Sequence, residues 1–239
     1  MKIKEKLMLD REGLLEHGPI NIVILGDSVS HGAIDGYFDY ESVYWNRLRK
    51  RLIEYRSYVP INMICASIGG TNARQAIPRL DSQVLCHVPD LVIVCFGLND
   101  VNGELDAFLG NLKEIFSRCQ KNGTDVIFMT PNMLNTYVSN ETRECNLSYA
   151  KKTAKMQAEG KMDLFMDGAR RLCVDMGVTL CDCYAEWKKL SQVRDTTLLL
   201  ANRINHPTPE MHKLFSDCLY NVIIGEDEAR AANDDGMLR

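Results

Sequence analysis

The sequence predicts an α/β fold: a three-layer α/β/α sandwich around a mainly parallel sheet of about five strands. Three observations predict it. Short runs of branched apolar residues alternate with longer amphipathic stretches, the pattern of strand–helix–strand units. The runs are apolar nearly throughout, as strands covered on both faces are. And 239 residues suffice for one sizeable core without a second domain.

INIVIL (20–25) reads as the first strand and stops abruptly at Gly26-Asp27-Ser28, where Gly can bend the backbone and Asp or Ser can cap a helix. The other strand candidates are INMICA (61–66), LVIVCF (91–96), DVIFMT (125–130) and VTLCDC (178–183). Helical patterns lie between them at about 41–57, 72–85, 104–121 and 144–176, the last interrupted near Ala158-Glu159-Gly160. A final helix is expected from Pro209 to Ile224. Thr208 would open it as a capping hydroxyl, with Pro209 in the first turn and Glu210 as an early acid. There is no internal repeat and no linker. Residues 1–225 are therefore expected to form a single domain, and the polar, acidic stretch 226–239 reads as a disordered tail.

Composition excludes several function classes. The chain is 46% hydrophobic and 25% charged, with a net charge of −4, which offers no basic footprint for nucleic acid. The short cluster Arg47-Leu48-Arg49-Lys50-Arg51 fits the solvated face of a helix. No stretch approaches the roughly 20 apolar residues of a membrane span, and the charged N-terminus lacks the apolar core of a signal peptide. Nine cysteines stand at irregular spacing with no C-x-x-C pair, so neither a disulfide framework nor a zinc site is read from them. Cys65 and Cys95, inside apolar runs, read as small buried hydrophobes. The expectation is a reduced, cytoplasmic protein without metal or cofactor.

In a parallel sheet, ligands bind at the carboxyl ends of the strands, so the residues just past each strand matter most. Gly26-Asp27-Ser28 stands after the first, Ser67-Ile68-Gly69-Gly70-Thr71-Asn72 after the second, and Gly97-Leu98-Asn99-Asp100 after the third. Asn205-His206-Pro207 precedes the last helix. Together they bring a hydroxyl, a bare backbone, an amide and an imidazole to one edge, the set that acyl transfer needs. Singly, each is more often a cap, a turn or a loop histidine.

In their order and placement these blocks resemble the SGNH hydrolases, also called GDSL-type esterases. Their GDS motif, glycine after the second strand, G-x-N-D and late D-x-x-H-P are matched by GDSVS (26–30), SIGG (67–70), GLND (97–100) and NHP (205–207). The resemblance implies Ser28 as nucleophile and His206 as general base. It implies an oxyanion hole of the N–H groups of Ser28 and Gly70 with the side-chain amide of Asn99. Physical chemistry agrees. A glycine leaves its N–H open to an approaching oxygen, and one oxyanion donor is typically worth ~3 kcal/mol in the barrier. Asp27 is expected to shape the turn and not to act as base.

Two positions depart from the family pattern. Where it has an Asp three residues before the histidine, this chain has Arg203, which cannot accept an imidazole N–H. A backbone carbonyl, Asn202, Asn205 or Asp195 is left to orient His206. Arg203 itself reads as a surface residue paired with an acid, or else as a contact to an anionic part of the substrate. Cys65 stands where the family often has Asn and reads as core packing. His31 could line the pocket but is too close in the chain to Ser28 to be the expected base. His212 lies in the last helix, and His17 and His87 in surface segments.

The function implied is a serine ester hydrolase working through an acyl-enzyme. The polar loop 131–146, with Tyr137, could line or cover the cleft, and it suits an acetyl or other small acyl group on a carbohydrate better than a long acyl chain. The expected partner is thus a small-molecule or carbohydrate ester, with the oligomeric state open. Alternatives are a lysophospholipase- or thioesterase-type acyl hydrolase, a carbohydrate-binding protein on the same scaffold that has lost catalysis, and a flavodoxin-like nucleotide binder. The last is disfavoured because neither a P-loop nor G-x-G-x-x-G comes after the first strand.

Overall fold

The structure is a computed structural model that describes residues 3–225; the tail expected at 226–239 lies outside the described residues. Five strands form one parallel sheet: β1 (Ile20–Gly26), β2 (Ile61–Cys65), β3 (Leu91–Cys95), β4 (Asp125–Met129) and β5 (Thr179–Cys181), in the order β2-β1-β3-β4-β5. Each predicted run is a strand, to within two residues at either end. Every pairing is parallel, which forces crossover connections through helices.

Burial follows position in the sheet. All five residues of β3 are buried, and so is β1 apart from Asn21. The edge strand β2 is only half covered, so Cys65 is partly exposed and not core, while Cys95 is fully buried. The helix Leu105–Lys121 buries Phe108, Leu112, Ile115, Phe116 and Cys119, a single stripe at helical period. It packs on the helix Lys161–Met176, where Phe108 and Phe165 stack at 5.4 Å between ring centroids. Phe116 meets Phe128 of β4 edge-on at 5.8 Å. Truncating such a buried ring to Ala typically costs about 3–5 kcal/mol. The helix Tyr44–Tyr55 packs on the last helix, His212–Ile224.

Local chemistry explains where the elements differ from the sequence pattern. The stretch 72–85 is not one helix, because Pro78 falls in a 3-10 turn between two four-residue helices and cannot supply a helical N–H. Gly160, at φ +73°, separates the helices Leu147–Ala158 and Lys161–Met176, at the expected interruption. Asp182 ends β5 and accepts a hydrogen bond from Ala185 N, capping a helix over Cys183–Leu190 that the apolar run had concealed. The charged N-terminus forms two short helices, Ile3–Leu7 and Arg11–His17, the second capped by Asp10. The final helix starts at His212, later than Pro209.

This topology places the site. The chain leaves β1 for β2 on one side, then crosses back over β1 to β3 on the other. With right-handed crossovers the intervening helices fall on opposite faces, which opens a crevice at the carboxyl ends of β1 and β3. The two strands finish level, Gly26 opposite Cys95.

Candidate active site

Ser28 is the first residue of the short helix Ser28–His31 just after β1. Asp27 holds that turn: its Oδ1 accepts from Val29 N at 3.0 Å and its carbonyl from His31 N at 2.9 Å. The carboxylate therefore shapes the turn, as the sequence suggests. It is fully buried, with Oδ2 unpartnered. Burial, only partly offset by the Val29 N–H and reinforced by Asp100, raises its pKa to about 7.

His206 reaches Ser28 from 178 residues away. Its Nε2 lies 2.9 Å from Ser28 Oγ, and its Nδ1 lies 2.8 Å from the carbonyl oxygen of Ile34. A carbonyl can only accept, so Nδ1 carries the proton and Nε2 is free to accept from the serine hydroxyl. The orienting group is thus a backbone carbonyl, one of the alternatives left open by Arg203. Burial pushes the imidazole pKa down, opposed by the Ile34 carbonyl and the nearby Asp35 carboxylate.

The other candidates for that role are used elsewhere. Asn202 Oδ1 accepts from the N–H groups of Ile204, Asn205 and His206, each at 3.0 Å, and folds the loop. Its Nδ2 donates to Asn205 Oδ1. Asp195 accepts from Thr197 N and the Tyr137 hydroxyl. Arg203 adopts φ +59° and pairs with Glu141 at 2.6 Å, while also donating to the carbonyls of Leu198 and Leu200. It is an ion-paired residue turned away from the imidazole.

Gly70 and Asn99 come to the same place. Gly70 sits at φ +77°, where a Cβ would touch no protein atom; glycine is needed there for the backbone conformation and not to avoid the chain. Asn99 Nδ2 donates one hydrogen to Thr71 O at 2.8 Å, which leaves its second for another acceptor. Asp100 ties these two segments together, accepting from Ala73 N on one oxygen and Gly97 N on the other. Its pKa is raised to about 6 by burial. All four sequence-predicted residues line one cleft of about 470 Å³.

The rest of that cleft was only partly foreseen. Phe38, half exposed, and Tyr149 line it together with Asn146, Asn202 and Asn205. The cluster Tyr37-Phe38-Asp39-Tyr40 was the available signal for an aromatic rim. Of the loop 131–146, Asn146 reaches the cleft, but Asn132 and Asn135 turn inward as structural ties to Asn205 O and Ala150 O. Tyr137 engages Asp195. Of the other histidines, His212 is buried, accepts from Tyr44 N and has its pKa lowered to about 4 by burial, while His17 and His87 are exposed. Among the described residues no cluster of three or more His, Cys, Asp or Glu side chains is arranged to hold a metal ion, and no helix is long and apolar enough to cross a membrane.

Comparison with known proteins places this geometry. No curated protein matches the chain. Among solved structures, an acetylxylan esterase from Geobacillus stearothermophilus superposes with a TM-score of 0.67 at 16% identity, covering 85% of this chain and 94% of that one. A second acetyl xylan esterase gives 0.67 at 20% identity, with 86% and 100% covered. An α/β hydrolase from the metagenome of Lake Arreo, Spain, gives 0.67 at 21%, with 86% and 95% covered. These likenesses show the fold. Residues 24–214 match the model of the GDSL-like lipase/acylhydrolase family, a span that runs from β1 through His206 into the last helix. The chain belongs to that family and is a carboxylic ester hydrolase.

Proposed function

We propose that this enzyme is a serine esterase that removes an acetyl or other small acyl group from a carbohydrate through an acyl-enzyme on Ser28. The observation that carries the reading is the hydrogen-bonded chain Ser28 Oγ–His206 Nε2, His206 Nδ1–Ile34 O, at 2.9 and 2.8 Å. Ser28 Oγ attacks the ester carbonyl while His206 Nε2 takes its proton. The tetrahedral oxyanion is received by the N–H groups of Ser28 and Gly70 and by the second amide hydrogen of Asn99. The imidazolium then protonates the departing sugar alcohol, and a water deprotonated by His206 releases the acid and restores Ser28. The Ile34 carbonyl holds the productive tautomer but carries no full charge, so it stabilises the imidazolium less than a carboxylate does.

Three features support the small-acyl carbohydrate class. The wall of the cleft carries Asn146, Asn202 and Asn205, which suit hydroxyl groups. Half-exposed Phe38 and Tyr40 lie nearly parallel, 12° between planes, and offer apolar faces to a sugar ring. Two structural neighbours are named as acetylxylan esterases. Since the site draws on residues from Ser28 to His206, residues 1–225 act in this reading as one catalytic domain.

The test is hydrolysis of p-nitrophenyl acetate, butyrate and octanoate, and acetate release from acetylated xylooligosaccharides, beside Ser28→Ala. Activity that falls with chain length and vanishes in Ser28→Ala is expected. A rise toward octanoate would replace the substrate class by the lysophospholipase or thioesterase alternative. Full activity in Ser28→Ala would end the serine mechanism.

A further inference from the structure

His31 is absorbed by none of the steps above, yet it sits between the nucleophile turn and the oxyanion loop. Gly69 N donates to His31 Nδ1 at 3.1 Å, and Tyr40 Oη lies 3.2 Å from Nε2. Because an amide N–H can only donate, Nδ1 is the acceptor and the ring proton is on Nε2, facing the Tyr40 oxygen. Burial holds the imidazole pKa below its ordinary value, which keeps Nδ1 bare near neutral pH. Phe38 packs on the same ring at 4.4 Å between centroids.

The loop it touches is a tight turn, Ile68-Gly69-Gly70-Thr71, closed by Thr71 N and the Thr71 hydroxyl donating to Ile68 O at 3.3 and 2.7 Å. Its entry is fixed by Ile68 N donating to Gly26 O at 3.2 Å. The N–H groups of this exposed turn can be traced one by one. Ile68 goes to β1, Gly69 to His31 and Thr71 back to Ile68. Gly70, on the cleft wall, is the member of the turn whose N–H has no partner among the described residues. A Cβ at Gly69 would lie 3.6 Å from His31 Nδ1 and 3.8 Å from Ser28 Cβ, so this residue lies beside both.

We propose that His31 is a positioning residue: by accepting the Gly69 N–H it holds the turn so that the Gly70 N–H faces the oxyanion, with Tyr40 fixing the tautomer that makes this possible. The inference rests on the assignment of Gly70 to the oxyanion hole made above. It also explains why an aromatic cluster backs this end of the cleft: Phe38 and Tyr40 immobilise the ring that immobilises the loop.

Two substitutions separate the acceptor from the ring. His31→Phe keeps an aromatic ring against Phe38 but has no acceptor. His31→Asn loses the ring but carries Oδ1 the same number of bonds from Cβ as Nδ1. On p-nitrophenyl acetate, His31→Phe is expected to lose kcat about 10- to 100-fold with KM nearly unchanged, somewhat less than removal of an oxyanion donor. His31→Asn is expected to recover most of that loss. Affinity for an acetyl-mimicking boronic acid, which forms a tetrahedral adduct on serine, should fall in parallel with kcat in His31→Phe. Thermal unfolding of each variant reports whether it is folded. A folded His31→Phe with wild-type kcat and boronate affinity overturns the inference, as does a His31→Asn no better than His31→Phe. Labelling of wild type by a fluorophosphonate at Ser28 keeps the two readings apart. Label at Ser28 with an indifferent His31→Phe removes this inference alone, whereas no label and full activity in Ser28→Ala remove both.

Discussion

The turn that carries Ser28 and the loop that carries His206 meet at one 2.9 Å hydrogen bond but are built in opposite ways. The turn after β1 is largely self-contained. Val29 N, His31 N, Gly32 N and Ala33 N all find acceptors within residues 27–29. The late loop is held from across the molecule. Ile204 O accepts from Asn135 N, Asn205 O from Asn132 Nδ2, and Arg203 is pinned by Glu141, while His206 itself leans on Ile34 O. Its local frame comes from Asn202, through three N–H donors. In the proposed mechanism the nucleophile is positioned by its neighbours in the chain, and its base is positioned by the fold.

The contrast is broken most severely at the meeting point. Ser28→Ala and His206→Gln are each expected to reduce kcat/KM by about 10³-fold or more, and the double variant by little beyond either single one, since the pair acts as a unit. Steady-state kinetics on p-nitrophenyl acetate check this. Next comes Asn202→Ala, which removes the acceptor of three backbone donors. A loss of about 1–3 kcal/mol in stability is expected, together with a drop in kcat of more than about 10-fold as the imidazole loses its register. Urea unfolding and kinetics would show both. Damage of that size from a residue that touches no reacting atom would confirm that the late loop depends on its frame.

On the side of the nucleophile turn, Asp27→Asn keeps the oxygen that accepts from Val29 N and removes the ionisation. The Asp27 pKa is raised from 3.8 to about 7 in the folded protein, so the folded state binds the proton more tightly than the unfolded one. Stability from this group is full below about pH 4 and is lost as pH rises toward 7. Asp27→Asn is therefore expected to gain in Tm relative to wild type on going from pH 5 to pH 8. Part of the decline persists in the variant, because Asp100 is raised to about 6 by its own burial.

The acid limb of kcat/KM sharpens the contrast further. In the proposed mechanism His206 must be neutral to accept the serine proton, and its pKa is lowered from the ordinary 6.5. Activity should fall with decreasing pH only below 6.5, and Asp35→Asn should move that limb lower still by withdrawing a favourable charge. The smallest effect is expected of Arg203→Asp, which restores the family residue. Position 203 faces Glu141 and the Leu198 and Leu200 carbonyls, and Nδ1 already has its acceptor. A decrease of a few fold in kcat is expected, where a simple reading of the motif would forecast a gain.

Local features of this protein were legible in the sequence. Branched apolar runs and stripes at helical period mark five strands and the main helices, because burial on both faces of a parallel sheet leaves a pattern in the residues themselves. All strands then end on one edge, so Ser28, Gly70 and Asn99 could be grouped, and the GDS, G-x-N-D and N-H-P blocks pointed to the family. Elements escaped where a side chain's role depends on its setting. Asp182 hid a helix start inside an apolar run, Pro78 broke an amphipathic stretch, and Cys65 lay on an edge strand. Packing alone decides what orients His206 and, in the proposal made here, what holds the Gly70 turn. The first is the Ile34 carbonyl, a group every residue possesses and no sequence letter records. The second is His31, whose acceptor atom meets Gly69 across 38 residues of chain. Both are hydrogen bonds to the backbone, and which backbone group lies within reach is fixed by how the chain packs.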